Sequence, residues 1–338
     1  MVDPSQVCVL VPTFNEAETI GDIVDRFYDQ GLENVLVIDG DSTDGTPEIA
    51  AEHGARVRQQ SGSGKGQAIR EALDYVDRRY VLMIDGDATY RPEQASRLLE
   101  PLFDGTAEHV VGNRFADMET GAMSRFNQFG NRLINRAFGA IHGRSLGDIL
   151  SGYRAFTLES VRSFDLTEAG FGIETELSVE CVKHGVPTRV VPITYEERPE
   201  ASQTNLRPVR DGAVILLTLY KMAKTNNPLF YFGSVGAVSG IVGLLLGVYV
   251  AVEWFTRGIS HEVIALLAGV TILFGVQLVM FGVLSDLIVT INREQTNQFR
   301  RLARTLSDED EPVPGTDPTD EDREPEEVVE AGRDPSEG

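Results

Sequence analysis

The chain begins as an alternation of short apolar runs and longer amphipathic stretches. Residues 7–11, 34–38, 80–84 and 109–111 are continuous apolar runs of strand length, and the first three end in Pro, Asp or Asp-Gly. Between them, residues 16–28, 46–53, 65–76 and 92–103 carry apolar positions at helical spacing. Strand and helix in turn predict an α/β domain built on a mostly parallel sheet with helices on both faces. Ligands of such sheets sit at the carboxyl ends of the strands. The polar clusters Asn15-Glu16, Asp39-Gly-Asp41 and Asp85-Gly-Asp87 fall at those ends.

The pattern then changes. Residues 229–252 carry no charge until Glu253, and residues 263–284 are equally apolar. Each is long enough to cross about 30 Å of hydrocarbon at about 1.5 Å per residue. This predicts a transmembrane hairpin over 228–292, with spans at about 229–252 and 263–288. Arg207, Arg210, Lys221 and Lys224 precede it and Arg293, Arg300, Arg301 and Arg304 follow, whereas Arg257 alone lies in the connection. That bias puts both termini and the α/β domain on the cytoplasmic side of the cell membrane. Trp254, the only tryptophan, falls at the far boundary, where an amphipathic ring is favoured. The expected organisation is therefore a domain over 1–210, an amphipathic segment over 211–227, the hairpin, and a tail over 293–338.

Charge refines the picture. The 338 residues carry a net −22, of which residues 308–338, with 14 Asp or Glu against 2 Arg, supply −12. That tail has little to bury and is expected to be disordered. The remaining −10 excludes nucleic acid as a partner, because phosphate backbones are bound by clustered cations. An acidic surface with few Lys also suits a halophilic source, where carboxylates maintain solubility. Cys8 and Cys181 have no metal or disulfide spacing and are expected as small core residues.

Four elements in fixed order carry the chemistry: Pro12-Thr-Phe-Asn15-Glu16, Asp39-Gly-Asp41-Ser-Thr-Asp44-Gly-Thr46, Lys65-Gly66, and Asp85-Gly86-Asp87. Together, over about residues 6–205, they resemble family 2 of the glycosyltransferases, which have the GT-A nucleotide-sugar fold, and within it the dolichyl-phosphate mannose and glucose synthases. The resemblance implies transfer of a hexose from UDP-glucose or GDP-mannose to dolichyl or polyprenyl phosphate, with inversion. From a haloarchaeal source it implies a supply of lipid-linked sugar for S-layer protein N-glycosylation. Asp85 and Asp87, two apart at a strand end, present hard oxygens to one Mg²⁺ or Mn²⁺ that also holds the donor diphosphate, and Asp87 is expected to be catalytic.

The resemblance places Pro12, Asn15, Glu16, Asp39, Asp41, Lys65, Asp85 and Gly86 at the nucleotide-sugar, although Asn15 or Glu16 also suits a cap on the first helix, Ser42, Thr43 or Asp44 a cap on the second, and Lys65 a solvated loop. Gly62-Ser-Gly64-Lys65-Gly66 is not a Walker loop, which requires Gly at position 59 and Ser or Thr at 66, where Gln59 and Gly66 stand. Arg114, Ser151, Arg154 and Arg198 are the expected acceptor-phosphate residues, with Arg154 also catalytic, since a guanidinium fork fits phosphate. The bland alternative for Arg154 is an ion pair with Asp148. Arg198 stands in a stretch that ends Ser202-Gln203 where the resembled family ends Ser-Lys.

Residues 124–138 alternate Phe126, Phe129, Leu133, Ile134 and Phe138 with Arg125, Arg132 and Arg136, as a helix on anionic lipid or one facing the core would; residues 213–222 are similar. Two rivals stand beside this reading. A polysaccharide-type enzyme acting on a sugar hydroxyl would need a base, for which Glu174 or Glu176 are candidates, but the Gln-x-x-Arg-Trp motif of processive members is missing. A non-catalytic scaffold would not need Asp85, Asp87 and Arg154. The hairpin predicts that the full chain stays in the membrane pellet after alkaline carbonate extraction; release into the supernatant would reduce it to a peripheral anchor.

Overall fold

The computed structural model describes residues 3–199 and 208–309. The acidic tail beyond residue 309 and the Ser202-Gln203 stretch lie outside the described residues. Seven strands, β1 (Val7–Thr13), β2 (Val35–Asp39), β3 (Arg56–Gln59), β4 (Tyr80–Met83), β5 (His109–Met118), β6 (Arg154–Thr157) and β7 (Thr188–Tyr195), form one sheet in the order β3-β2-β1-β4-β6-β5-β7. Only β6 runs against its neighbours β4 and β5, so the sheet is mostly parallel.

Alternate residues of β1 divide the core. Val7, Val9 and Val11 pack with α1 (Ile20–Tyr28), α2 (Thr46–Glu52) and α4 (Ala95–Phe103), whereas Cys8 and Leu10 pack with α3 (Lys65–Tyr75), α6 (Leu158–Arg162) and α7 (Ile173–Lys183). Period-two alternation in a strand covered on both sides produces this two-faced core. Cys8 and Cys181 are free and buried.

Three departures from the sequence pattern have local causes. Helix α1 begins at Ile20 rather than at residue 16. The intervening N–H groups are taken from elsewhere: Glu16 N–H donates to Thr46 Oγ1 at 2.9 Å and Ala17 N–H to Asp44 Oδ2 at 3.1 Å. Strand β5 runs to Met118, seven residues past its apolar run, because β7 pairs along it with an irregularity between Asn113 and Asp117. Strand β3 is a charged edge strand, Arg-Val-Arg-Gln, whose polarity hides it from an apolar-run reading.

Four further helices are α5 (Arg125–His142), α8 (Pro208–Asn226), α9 (Pro228–Arg257) and α10 (Glu262–Glu309). Ile134, Phe138 and Ile141 of α5 bury against Ile215, Leu219 and Ala223 of α8 and Val179 of α7, with Phe230 and Tyr231 of α9 packed on the same cluster. The core-facing alternative for residues 124–138 is thus half right: Phe126, Phe129 and Leu133 of the same helix remain exposed. Helices α9 and α10 supply apolar segments of 30 and 31 residues, each long enough to span a bilayer. They cross closely at small residues, where a Cβ on Gly236 would meet the Gly275 carbonyl oxygen at 2.6 Å.

His109 is fully buried and stacked on Phe156, with Nε2 3.4 Å from the Arg154 guanidinium. Burial first, and the Arg154 charge second, push its pKa well below the ordinary value. The folded chain therefore keeps a neutral ring where the unfolded chain takes up a proton below about pH 6.5, so stability is lost as pH falls through that value. Melting curves of the detergent-solubilised protein between pH 7.5 and 5.5 should show a loss that is smaller in His109→Gln; equal pH slopes in the two proteins would assign the effect elsewhere.

Candidate active site

The turns leaving β1, β2 and β4 form one edge of a cavity of about 760 Å³. They are knitted together by short polar side chains. Asn15 and Asp41 take positive φ values of 56° and 71°, and Ala88 after β4 takes 56°. Such angles are uncommon outside glycine and cluster at functional sites. Asn15 N–H donates to Ser42 Oγ at 2.8 Å while Asn15 Oδ1 accepts from Thr43 N–H at 2.9 Å, clamping the β1 turn to the β2 turn. Thr19 donates its hydroxyl to the Gly86 carbonyl at 2.5 Å, tying in the β4 turn.

Pro12, Glu16, Lys65, Asp85, Gly86, Asp87, Arg114 and Arg198 all line the cavity. Asp85 and Asp87 leave β4 side by side. Asp87 Oδ1 accepts from Thr89 N–H at 3.1 Å and from Thr89 Oγ1 at 2.6 Å, which fixes the carboxylate. Each aspartate meets a cation: Lys65 Nζ pairs with Asp85 and with Glu174, and Arg198 pairs with Asp87 and lies 3.9 Å from Glu16. Burial opposes the charge on Lys65, but Asp85 and Glu174 outweigh it and raise its pKa above the ordinary lysine value. Lys65 is thus a charged element of the site rather than a solvated loop lysine.

Glycines allow this packing. A Cβ on Gly66 would collide with the Glu168 carbonyl oxygen, one on Gly64, whose φ is +97°, with that of Ala169, and one on Gly152 with the Asp85 carboxylate. Gly152 is also tied to a cavity residue: its N–H donates to Tyr90 Oη at 3.0 Å.

Five expected residues are not presented to the cavity. Arg154 is fully buried, donating to the Ser151 and Ile149 carbonyls at 2.8 and 2.6 Å and to Ser178 Oγ at 3.0 Å. It corrects the expectation of a phosphate ligand: the guanidinium satisfies the loop that precedes β6. Ser151 is fully buried in that same loop. Asp148, the acid considered as its partner, instead holds Arg114 bidentately at 2.6 and 2.9 Å. Asp39 is 1 % exposed and accepts from Ser42 N–H, Ser42 Oγ and Thr13 Oγ1, so it anchors its own turn. Asn15 serves the clamp described above, and Asp41 accepts from Gln59 Nε2 at 2.9 Å. Conversely, the cavity includes residues that the motifs did not mark for it, notably Gln60, Tyr90, Asn127, Asn131 and Phe171. Four of these five are uncharged polar or tyrosine side chains that carry no motif of their own.

The α5 and α8 side is mixed but rich in apolar groups. Phe126 and Ile134 of α5, Met123 just before it, Ile215 of α8 and Phe171 line it beside Asn127 and Asn131, and α8 packs onto α9. No acid occurs between Glu119 and Asp148, whereas Arg125, Arg132, Arg136 and Arg144 are all exposed.

A divalent cation fits Asp85 and Asp87. Asp85 Oδ1 is buried without a hydrogen bond of regular geometry, although Lys65 lies against it, and hard carboxylate oxygens suit Mg²⁺ or Mn²⁺. Neither acid of Gly172-Ile-Glu-Thr-Glu is offered as a free base: Glu174 is paired with Lys65, and Glu176 accepts from Thr167 and from the Glu168 N–H.

The model of "Glycosyl transferase family 2" matches residues 8–162. A "Glycosyltransferase AglJ" of Haloferax volcanii is 60 % identical over 303 residues, which cover 89 % of this chain and all of that one. The chain belongs to glycosyltransferase family 2. A "Dolichyl-phosphate hexose transferase" of the same organism is 35 % identical over 220 residues, 64 % of this chain and 93 % of that one. Among solved structures, glucosyl-3-phosphoglycerate synthase from Mycobacterium tuberculosis, in complex with Mn²⁺, UDP-glucose and phosphoglyceric acid, superposes with a TM-score of 0.54 at 22 % identity, covering 65 % of this chain and 80 % of that one. That likeness establishes the GT-A fold.

Because a methyl at position 152 would press on Asp85, Gly152→Ala should lower sugar-transfer activity by about 10- to 100-fold, as changes that misplace a metal ligand do, with little change in melting temperature. Wild-type activity in that variant would show that the Asp85 position is not critical.

Proposed function

We propose that this membrane glycosyltransferase transfers a hexose, with inversion, from UDP-glucose or GDP-mannose to dolichyl or polyprenyl phosphate at the cytoplasmic face, supplying protein N-glycosylation. The observation that carries the reading is the two-sided cavity. The strand ends bring Asp85, Asp87, Lys65 and Arg198 to it, and α5 and α8 bring Phe126, Ile134 and Ile215 beside Asn127 and Asn131, on helices whose core is shared with α9, a helix long enough to span a bilayer. A water-soluble acceptor needs no such apolar groups. The relative named a dolichyl-phosphate hexose transferase supports the same class of acceptor.

The division of work follows from the geometry. Asp85 and Asp87 would hold Mg²⁺ or Mn²⁺, which when bound neutralises charge on the departing nucleoside diphosphate. Lys65, held protonated, and Arg198 add positive charge beside that leaving group. The lipid phosphate is anionic at neutral pH and forms its C–O bond to the anomeric carbon as the bond to the diphosphate breaks on the opposite side. It gives up no proton that a base must take, which fits a site where Glu174 and Glu176 are both engaged. Arg114, at the cavity and locked by Asp148, is the better candidate for the acceptor phosphate than Arg154. A locked guanidinium keeps outward-facing N–H groups at fixed angles. The exposed Phe126, Phe129 and Leu133 beside Arg125, Arg132 and Arg136 suit contact with an anionic lipid surface. Lys and Arg flanking the hairpin support cytoplasmic termini.

The test is sugar transfer in membranes, with radiolabelled UDP-glucose and GDP-mannose offered separately with dolichyl phosphate and Mg²⁺ or Mn²⁺. One donor should yield a chloroform-soluble, acid-labile product, and Asp87→Ala should lower its rate by about 100-fold or more. Label on glycan hydroxyls, with no lipid product, would favour the polysaccharide-type rival.

A further inference from the structure

Lys65 and Arg198, the cations paired with Asp85 and Asp87, are held very differently. Lys65 is the first residue of α3, its backbone pinned by the close approach of Gly64 and Gly66 to residues 168–169, and its ammonium lies between Asp85 and Glu174. Arg198 stands on extended chain after β7, and its side chain is 27 % exposed against 15 % for Lys65. That chain is itself tied to the Asp87 turn, since Glu196 N–H donates to the Thr89 carbonyl at 2.9 Å. The backbone is therefore positioned, and the side chain of Arg198 is the more exposed of the two.

The oxygen at stake is also defined. Thr89 engages Asp87 Oδ1 twice, and Arg198 takes Oδ2. Among the described residues, the carboxylates Glu16, Asp85, Asp87 and Glu174 face Lys65 and Arg198, while the third cation at the cavity, Arg114, is held by Asp148. A cation reaching Asp87 has to share or take Oδ2 from Arg198, and two cations on one oxygen repel.

We infer that Arg198 is a displaceable counter-cation: it pre-positions Asp87, competes with the divalent metal for Oδ2, and moves to the donor's diphosphate when metal and donor enter together. A diphosphate offers the guanidinium fork paired oxygens that a single shared carboxylate oxygen does not. Metal and nucleotide then bind cooperatively, and linkage makes the coupling reciprocal. The inference rests on the reading that Asp85 and Asp87 take the metal.

The experiment is a titration of the full detergent-solubilised chain with Mn²⁺, free ion being followed by electron paramagnetic resonance, alone and with saturating UDP or, in parallel, GDP. Arg198→Gln should bind Mn²⁺ alone about 10-fold tighter than wild type, and the enhancement of Mn²⁺ affinity by nucleotide should shrink by a similar factor. A residue that only steadies Asp87 would act the other way, so unchanged or weaker Mn²⁺ binding in Arg198→Gln overturns the inference. Asp87→Asn separates the two readings: Mn²⁺ binding that survives it at wild-type strength removes the metal site itself, whatever Arg198 does.

Discussion

Carboxylates that repel one another converge on the cavity, and the site depends on holding them there. Glu16, Asp85, Asp87 and Glu174 approach from the turns after β1 and β4 and from α7. In a partly buried setting each would be costly without a partner of opposite charge. The chain supplies two kinds of restraint. Hydrogen bonds from Thr89 fix Asp87, and the Asn15, Ser42, Asp44 and Thr46 links hold the neighbouring turns in strained backbone angles. Lys65 and Arg198 then offset part of that charge. The result is a set of carboxylates and cations held at the strand ends by partners within the chain.

Continuity with the membrane elements is the second organising fact. The apolar cluster of α5, α7 and α8 takes in Phe230 and Tyr231 at the start of α9, so the cavity wall and the first long apolar helix share one packed core. An isoprenoid acceptor must bring a charged head to the strand ends while its tail stays in apolar surroundings. A wall that runs from Ile134 and Ile215 towards α9 meets that requirement through packing rather than through any single residue.

The motif residues divide in a physically instructive way. Those at turn tips with short polar side chains, Asp39, Asn15 and Asp41, spend their hydrogen bonds on the turns themselves and not on helix capping, since α1 and α2 have Thr19 and Gly45 at their N-caps with no side-chain cap bond. Arg154 looks like an anion ligand in sequence because its type and its neighbours Ser-Gly-Tyr suit one. Whether its guanidinium reaches solvent depends on β6 running antiparallel between β4 and β5, which turns it inward onto the carbonyls of residues 149 and 151. Arg114, one strand away, pairs with the Asp148 that was considered for Arg154 and keeps a face on the cavity.

By itself the sequence determined what local chemistry dictates. Period-two and helical patterns, Asp-Gly turns at strand ends and two long apolar stretches fix the mostly parallel sheet, the edge on which the site lies and two helices long enough to span a bilayer. The order of the Pro12, Asp39, Lys65 and Asp85 elements resembles the family to which the chain belongs. Tertiary structure alone decided which charged groups meet. The pairing of Lys65 with Glu174, 109 positions later, of Arg198 with Asp87, and of Arg114 rather than Arg154 with Asp148 depends on strand order and helix packing. Those contacts join residues far apart in the chain, and no periodicity or spacing records which of several equally suitable partners the fold brings within a few ångströms.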